Sequence, residues 1–138
     1  MVTILTATAV LALCTVVRWY LDRSARRDSE HFGGRVQLTV LWNEGAAFGL
    51  SIPKRVLMVL SVLCLGWLWA LRKDAPLGAG LVLGGGASNL LERLKHGRVF
   101  DYIRFPKGPQ KLRRYVYNLA DFAVFLGGLF LLLGKRRK

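Results

Sequence analysis

Four stretches of this chain run without charge, or nearly so. Residues 2–17 hold 16 consecutive uncharged positions, residues 56–71 another 16, residues 75–91 hold 17, and residues 115–134 hold 20 in which Asp121 is the only charge. A helix needs roughly 20 predominantly apolar residues to cross about 30 Å of hydrocarbon. The pattern therefore predicts an all-α polytopic membrane protein with four transmembrane helices, over about 2–21, 53–71, 75–93 and 115–133, in a single membrane-embedded domain over 1–138. Arg72-Lys73-Asp74 leaves room only for a tight turn, so the second and third helices form an antiparallel hairpin. Four spans put both termini on one side and the two long links, 22–52 and 94–114, on the other.

Each long link carries a strand signal. In Val36-Gln37-Leu38-Thr39-Val40 apolar and polar residues alternate, and in Val99-Phe100-Asp101-Tyr102-Ile103 one face holds Val99, Asp101 and Ile103. Asn43-Glu44-Gly45 supplies turn chemistry after the first, and residues 106–109, with a proline at each end, close the second. The links are expected to pair as a small sheet over the membrane. In the third helix, Gly80, Gly84 and Ser88 recur every four residues with Gly85 and Gly86 beside them, a spacing that lets helices approach closely in lipid. Three successive glycines exceed that need, which leaves an adjacent substrate or cofactor as the alternative.

Composition adds a second extreme to the apolar one: 21 Lys and Arg stand against 8 Asp and Glu, in a chain that is 53% hydrophobic. In a soluble protein such a basic excess suggests nucleic acid. Beside four apolar spans it suggests membrane lipids with anionic headgroups, and no nucleic-acid partner is expected. Disorder and a disulfide scaffold are disfavoured. Cys14 and Cys64 lie in apolar runs and read as small hydrophobes, and His31 and His96 have no ligand-spaced partner, so no metal and no cofactor is expected. Arg18-Trp19-Tyr20 reads as an interfacial anchor rather than the end of a cleavable leader.

Polar residues inside apolar helices need a reason. A carboxylate at the centre of a membrane helix costs on the order of 2.5–3.5 kcal/mol and is by default a functional candidate. Asp121 lies within the first two turns of the predicted fourth helix, where the helix N-terminus lowers that cost, with Asn118 expected one turn earlier on the same helix face. Asp101, in the second strand, is brought by the chain path to the same end of the bundle. Two carboxylates about 3 Å apart share a proton, so one can act as base toward water while the other donates to a carbonyl oxygen. Simple pairing of Asp121 with Arg93 or Arg114 is the alternative. Asn89 and Arg93, four apart on one face, and Asn43 at a strand end lie at the same membrane level. Capping of turns and helix ends is the plainer role of each asparagine.

Five motifs in order resemble bacterial lipoprotein signal peptidases, the signal peptidase II family. They are Asp22-Arg23-Ser24-Ala25-Arg26, Asn43-Glu44-Gly45-Ala46-Ala47-Phe48, Gly86-Ala87-Ser88-Asn89-Leu90-Leu91-Glu92-Arg93, Gly97-Arg98-Val99-Phe100-Asp101-Tyr102-Ile103 and Tyr117-Asn118-Leu119-Ala120-Asp121. The resemblance implies a four-helix aspartic peptidase with a small extracytoplasmic sheet. It implies cleavage of lipid-modified prolipoproteins before the diacylglyceryl cysteine. It also implies Asp101 and Asp121 as the catalytic pair, with Asn43, Gly45, Asn89, Arg93, Asn118 and Ala120 lining the substrate site. Asp22, Arg26 and Glu92 fall in the motifs as structural residues. The oligomeric state is left open by these motifs.

The chain departs from the family pattern in three places. Ser88-Asn89 and Glu92-Arg93 stand where Gly-Asn-x-x-Asp-Arg is usual, Arg26 where Lys is usual, and Phe122 where a small residue follows the second acid. A divergent branch is implied, and a non-catalytic paralogue binding acylated peptides or anionic lipid is the alternative function. A small carrier using Asp121 is a weaker third reading. Fourteen Lys and Arg lie in or beside the long links and six at the hairpin turn and C-terminus. That imbalance favours cytoplasmic links, whereas the resemblance places them on the extracytoplasmic side of the inner membrane, and the expectation follows the resemblance.

Overall fold

The computed structural model describes residues 1–23, 28–45 and 50–135. Its elements in order are α1 (Val2–Arg23), β1 (Ser29–His31), β2 (Val36–Asn43), α2 (Lys54–Leu71), α3 (Pro76–His96), β3 (Val99–Arg104), the single turn α4 (Gln110–Arg113) and α5 (Leu119–Lys135). Arg26, and residues 46–48 of the second motif, lie outside the described residues.

The helix α3 packs against α1, α2 and α5. Successive helical residues point about 100° apart, so Gly84, Gly85 and Gly86 face three directions. A Cβ at Gly84 would lie 2.7 Å from the Ala7 carbonyl oxygen of α1. One at Gly85 would lie 2.6 Å from the Ala120 carbonyl oxygen of α5, and one at Gly86 2.8 Å from Leu65 of α2. Gly78 and Gly127 approach each other's carbonyls in the same way, at 2.9 and 2.7 Å. Helix packing thus accounts for the triple glycine that as a sequence feature left room for a cofactor.

The interior takes polar as well as apolar residues, while many large apolar side chains face outward. Thr3, Ser88, Asp101 and Asn118 are buried, while Leu63, Trp67, Phe125 and Leu132 are at least 60% exposed. In water such contiguous apolar faces would aggregate; they suit a hydrocarbon solvent. Among the described helices, α1 and α2 are long and apolar enough to cross a membrane, and residues Leu119–Gly134 form a shorter apolar helix.

At one end of the bundle lies a three-stranded antiparallel sheet in the order β1-β2-β3. Both sequence-read strands are present, and β2 runs three residues further than expected, to Asn43. The edge strand β1 was not expected. It pairs Ser29 with Leu38 and His31 with Val36. Between β2 and β3 the register shifts from Leu38↔Ile103 to Leu41↔Asp101, a bulge in which Thr39 and Val40 face the single residue Tyr102. Leu21, Phe100 and Tyr102 form the core that joins sheet to helices, with Val17, Trp42 and Leu119 against it.

The last helix departs most from expectation. It was predicted over 115–133, but α5 starts at Leu119. Residues before it are claimed by the sheet: Tyr117 bridges Ile103, its N–H donating to the Ile103 carbonyl at 2.7 Å and its own carbonyl accepting from Ile103 at 2.7 Å. At the other turn Gly97, in the left-handed region at φ +76°, ends α3 and its N–H donates to the Arg93 carbonyl. That turn leads two residues later into β3.

The packing predicts that Gly84→Ala lowers stability by about 1–3 kcal/mol through overpacking against the Ala7 backbone. Gly66→Ala, where nothing lies within 4 Å, leaves it unchanged or slightly raised. Thermal melting of both variants in detergent measures the difference.

Candidate active site

The acids arrive from different elements. Asp101 sits in the middle of β3, 4% exposed, and Asp121 in the first turn of α5. Asn118 precedes that helix as its cap. Its side-chain oxygen accepts from the Asp121 N–H at 3.0 Å, and Asp121 Oδ2 accepts from the Asn118 N–H at 2.9 Å. This reciprocal pair is a capping box with the acid at the third helical position. Asn118 therefore does not share a helix face with Asp121, as the longer predicted helix implied; it caps the helix that carries it.

Having used its oxygen on the cap, Asn118 points its amide nitrogen elsewhere. Nδ2 donates to Asp101 Oδ1 at 2.9 Å and to Asn89 Oδ1 at 3.1 Å. Asn89 Nδ2 in turn donates to Asp121 Oδ1 at 3.3 Å, and Asn43 Nδ2 donates to Asp101 Oδ2 at 3.2 Å. Three asparagines from β2, α3 and the α5 cap thus surround two carboxylates with neutral donors. Neither acid makes an ion pair among the described residues; the pairing of Asp121 with Arg93 or Arg114 is absent there.

Arg93 follows Asn89 by one turn of α3, and its Nη2 donates to the Gly45 carbonyl at 3.0 Å. Gly45 also donates its N–H to Asn43 Oδ1 at 2.9 Å, the turn read from Asn43-Glu44-Gly45. Arg93 Nε is buried and has no partner among the described residues. Ala120 is 2% exposed, its carbonyl set against Gly85. Asp22 lies exposed in the last turn of α1. Phe122 does not crowd Asp121 from within the network. It lies half out of the fold, edge-on to Phe105 at 6.1 Å and 6.0 Å from the Tyr117 ring.

Glu92 ties three elements together. Its Oε2 accepts from the Phe100 N–H at 2.9 Å, one residue before Asp101, and its Oε1 meets Arg18 Nε of α1 at 3.3 Å. Arg18 turns inward to Glu92 rather than outward as an anchor would, while Trp19 and Tyr20 stay about half exposed. Sequence reasoning also missed Tyr102, whose hydroxyl accepts from the Leu119 N–H at 3.0 Å. That contact spans 17 residues, and no local pattern announces it. Burial pushes the Tyr102 phenol up from its ordinary value, keeping it neutral in this role.

Burial first, and the neighbouring Asp121 carboxylate second, push the Asp101 carboxyl up to about 7; the amides of Asn43 and Asn118 and the Arg93 charge oppose the shift. Between the ordinary carboxylate range and about pH 7 the folded protein holds a proton at Asp101 that the unfolded chain has released. Its contribution to stability thus falls as pH rises through that window. Asp101→Asn is expected to flatten the slope of melting temperature between pH 4.5 and 8; an unchanged slope would show that Asp101 titrates normally.

The profile of signal peptidase (SPase) II matches residues 5–135 of this chain. A protein named lipoprotein signal peptidase from Syntrophomonas wolfei is 33% identical over 135 residues, covering 89% of this chain and 85% of its own. One of the same name from Moorella thermoacetica is 32% identical over 139 residues, covering 93% and 88%. Among solved structures, one described as a bacterial membrane enzyme, determined by the in meso method at 2.3 Å resolution, shares the fold. Its TM-score is 0.84 at 19% identity, covering 98% of this chain and 87% of that one. With the profile spanning nearly the whole sequence, the chain belongs to the signal peptidase II family.

Proposed function

We propose that the chain is a four-span aspartic endopeptidase of the bacterial inner membrane that removes the signal peptide from diacylglyceryl-modified prolipoproteins. Membership of the signal peptidase II family assigns it lipoprotein signal peptide cleavage. The observation that carries the aspartic chemistry is the amide network in which Asn118 bonds Asp101 and caps the helix at Asp121. One carboxylate takes a proton from water, whose oxygen attacks the scissile carbonyl carbon. The other carboxyl donates its proton to the carbonyl oxygen, giving a tetrahedral diol. Proton transfer to the amide nitrogen then lets the C–N bond break and the acid is restored. The shared proton belongs to the pair. An acid held up to about 7 is suited to carrying it near neutral pH.

The remaining residues take supporting parts. Arg93 Nε, buried without a partner among the described residues, is a donor for a substrate carbonyl. Asn43, Gly45, Asn89, Asn118 and Ala120 line the same site. Glu92 holds the β3 backbone beside Asp101. A non-catalytic relative would have no use for two buried carboxylates kept free of cations, which disfavours that alternative.

Length supports a third span in α3, whose 21 residues rise about 32 Å at 1.5 Å per residue; the 17 residues of α5 rise about 26 Å, a little short of the hydrocarbon, and its span is supported by its packing along α3. The glycines that lower the hydropathy of α3 are covered by neighbouring helices rather than by lipid. The sheet and both acids are assigned to the extracytoplasmic side, where a translocated prolipoprotein presents its cleavage site.

Asp101→Asn and Asp121→Asn are each expected to reduce release of signal peptide from a diacylglyceryl prolipoprotein by at least about 10³-fold with membrane insertion retained. The double variant should lose little more than either single one. Turnover within tenfold of the parent by either variant refutes the acid pair. Orientation is tested with Cys14 and Cys64 replaced by serine. A cysteine in Lys111→Cys, in α4, should react with an impermeant thiol reagent in intact cells, and one in Lys73→Cys, in the α2–α3 turn, only after the cells are opened. The reverse pattern would put the acids in the cytoplasm, as the cation count favours, and end the peptidase assignment.

A further inference from the structure

A cleft of about 780 Å³ opens beside the β3–α5 connection and includes neither acid. It is lined by Arg104 from the end of β3, by Gln110, Lys111 and Arg113 of α4, and by Arg114 and Tyr115 after it. No Asp or Glu occurs between Asp101 and Asp121. The ion pair found among the described residues, Arg18–Glu92, lies elsewhere. Four exposed cations around one cleft set up a positive potential that draws an anion. Guanidinium groups meet phosphate with two parallel hydrogen bonds, and three of the four are arginines.

The surroundings distinguish among anions. Leu112, between the cations of α4, is 44% exposed. Phe105, next to Arg104, packs edge-on against Phe122 at 6.1 Å, and from there Phe125, Leu126 and Leu129 continue an exposed apolar column down α5. The basic cleft therefore stands at the head of a lipid-facing helix side. An acidic peptide would leave that column uncovered, and a free phosphate would use only the cleft. We propose that this cleft is a binding site for the phosphate headgroup of an anionic phospholipid whose acyl chains lie along the exposed side of α5. The site is separate from the peptidase acids, and its occupancy does not depend on hydrolysis.

Binding is read without substrate, on the full chain in a neutral detergent, by native mass spectrometry and thermal melting with added phosphatidylglycerol, phosphatidylcholine or inorganic phosphate. Phosphatidylglycerol is expected to be retained at least about tenfold more tightly than phosphatidylcholine and to raise the melting temperature. The triple variant Arg104→Gln, Arg113→Gln, Arg114→Gln should lose at least about tenfold of that preference, while Arg72→Gln, Lys73→Gln at the opposite end keeps it. Equal stabilisation by inorganic phosphate alone would make this a free-anion site and overturn the lipid assignment. Equal loss in both variants would mean unspecific charge attraction and overturn the site. Displacement of the lipid by an acidic prolipoprotein peptide would reassign the cleft to substrate. Should the triple variant not fold, Lys111→Gln and the wild-type comparison of the two lipids decide: equal retention of both lipids rejects the proposal.

Discussion

Close approach of α3 to its neighbours is the constraint on which the other features rest. Gly80 and Gly84 admit α1, Gly78 and Gly85 admit α5, and Gly86 admits Leu65 of α2. In hydrocarbon, apolar side chains gain little by leaving lipid for one another, so association depends on backbone proximity and dispersion. A helix with small residues on three sides can be the hub of such a bundle, which a leucine-faced helix cannot. Because Gly85 touches the Ala120 carbonyl, the same contact fixes the start of α5, and with it Asp121, against the level of Asn89.

From that level the polar site follows by hydrogen bonding. A carboxylate in such surroundings is costly unless its oxygens are satisfied. Here the donors are amides rather than cations, so the acids are held in place without being locked as ion pairs. A guanidinium bound directly to Asp101 would hold it ionised and well below neutral; neutral amides oppose burial less, and the carboxyl stands at about 7. Arg93 is near enough to oppose the shift, yet its hydrogen bond goes to the Gly45 backbone.

The sheet places the site residues that the helices do not carry. Its bulge sets two β2 residues against Tyr102 and shifts the register by one, and in the shifted register Asn43 reaches Asp101 diagonally. Glu92 accepts from Phe100 and pairs with Arg18, so β3 is anchored to α3 and through it to α1. Phe100 then fills the space between sheet and helices, against Trp42 at 5.1 Å and Tyr102 at 5.6 Å.

The sequence by itself determined the four long helices to within a few residues and the strands β2 and β3, and it marked Asp121 as a carboxylate in an apolar run; the pairing of Asp121 with Asp101 and the asparagines around them came from the resemblance of the motifs. Those readings rest on local signals: uncharged runs of span length, alternation of period two, and, for Asp121, a carboxylate where an apolar helix has no ordinary use for one. The tertiary structure decided what depends on partners distant in the chain. Residues 115–118 carry a helix-compatible apolar pattern, but pairing of Tyr117 with Ile103 and capping by Asn118 delay α5 to Leu119. The strand β1 has too little pattern in Ser29-Glu30-His31 to be read alone, and exists because β2 offers it an edge. Glycine spacing announced close packing without saying which helix each glycine would meet. Arg18 and Tyr102 found their roles only when partners 74 and 17 residues away came within hydrogen-bond distance. A local pattern reports which conformation and solvent a segment prefers; which donor meets which acceptor is fixed only once the helices have packed.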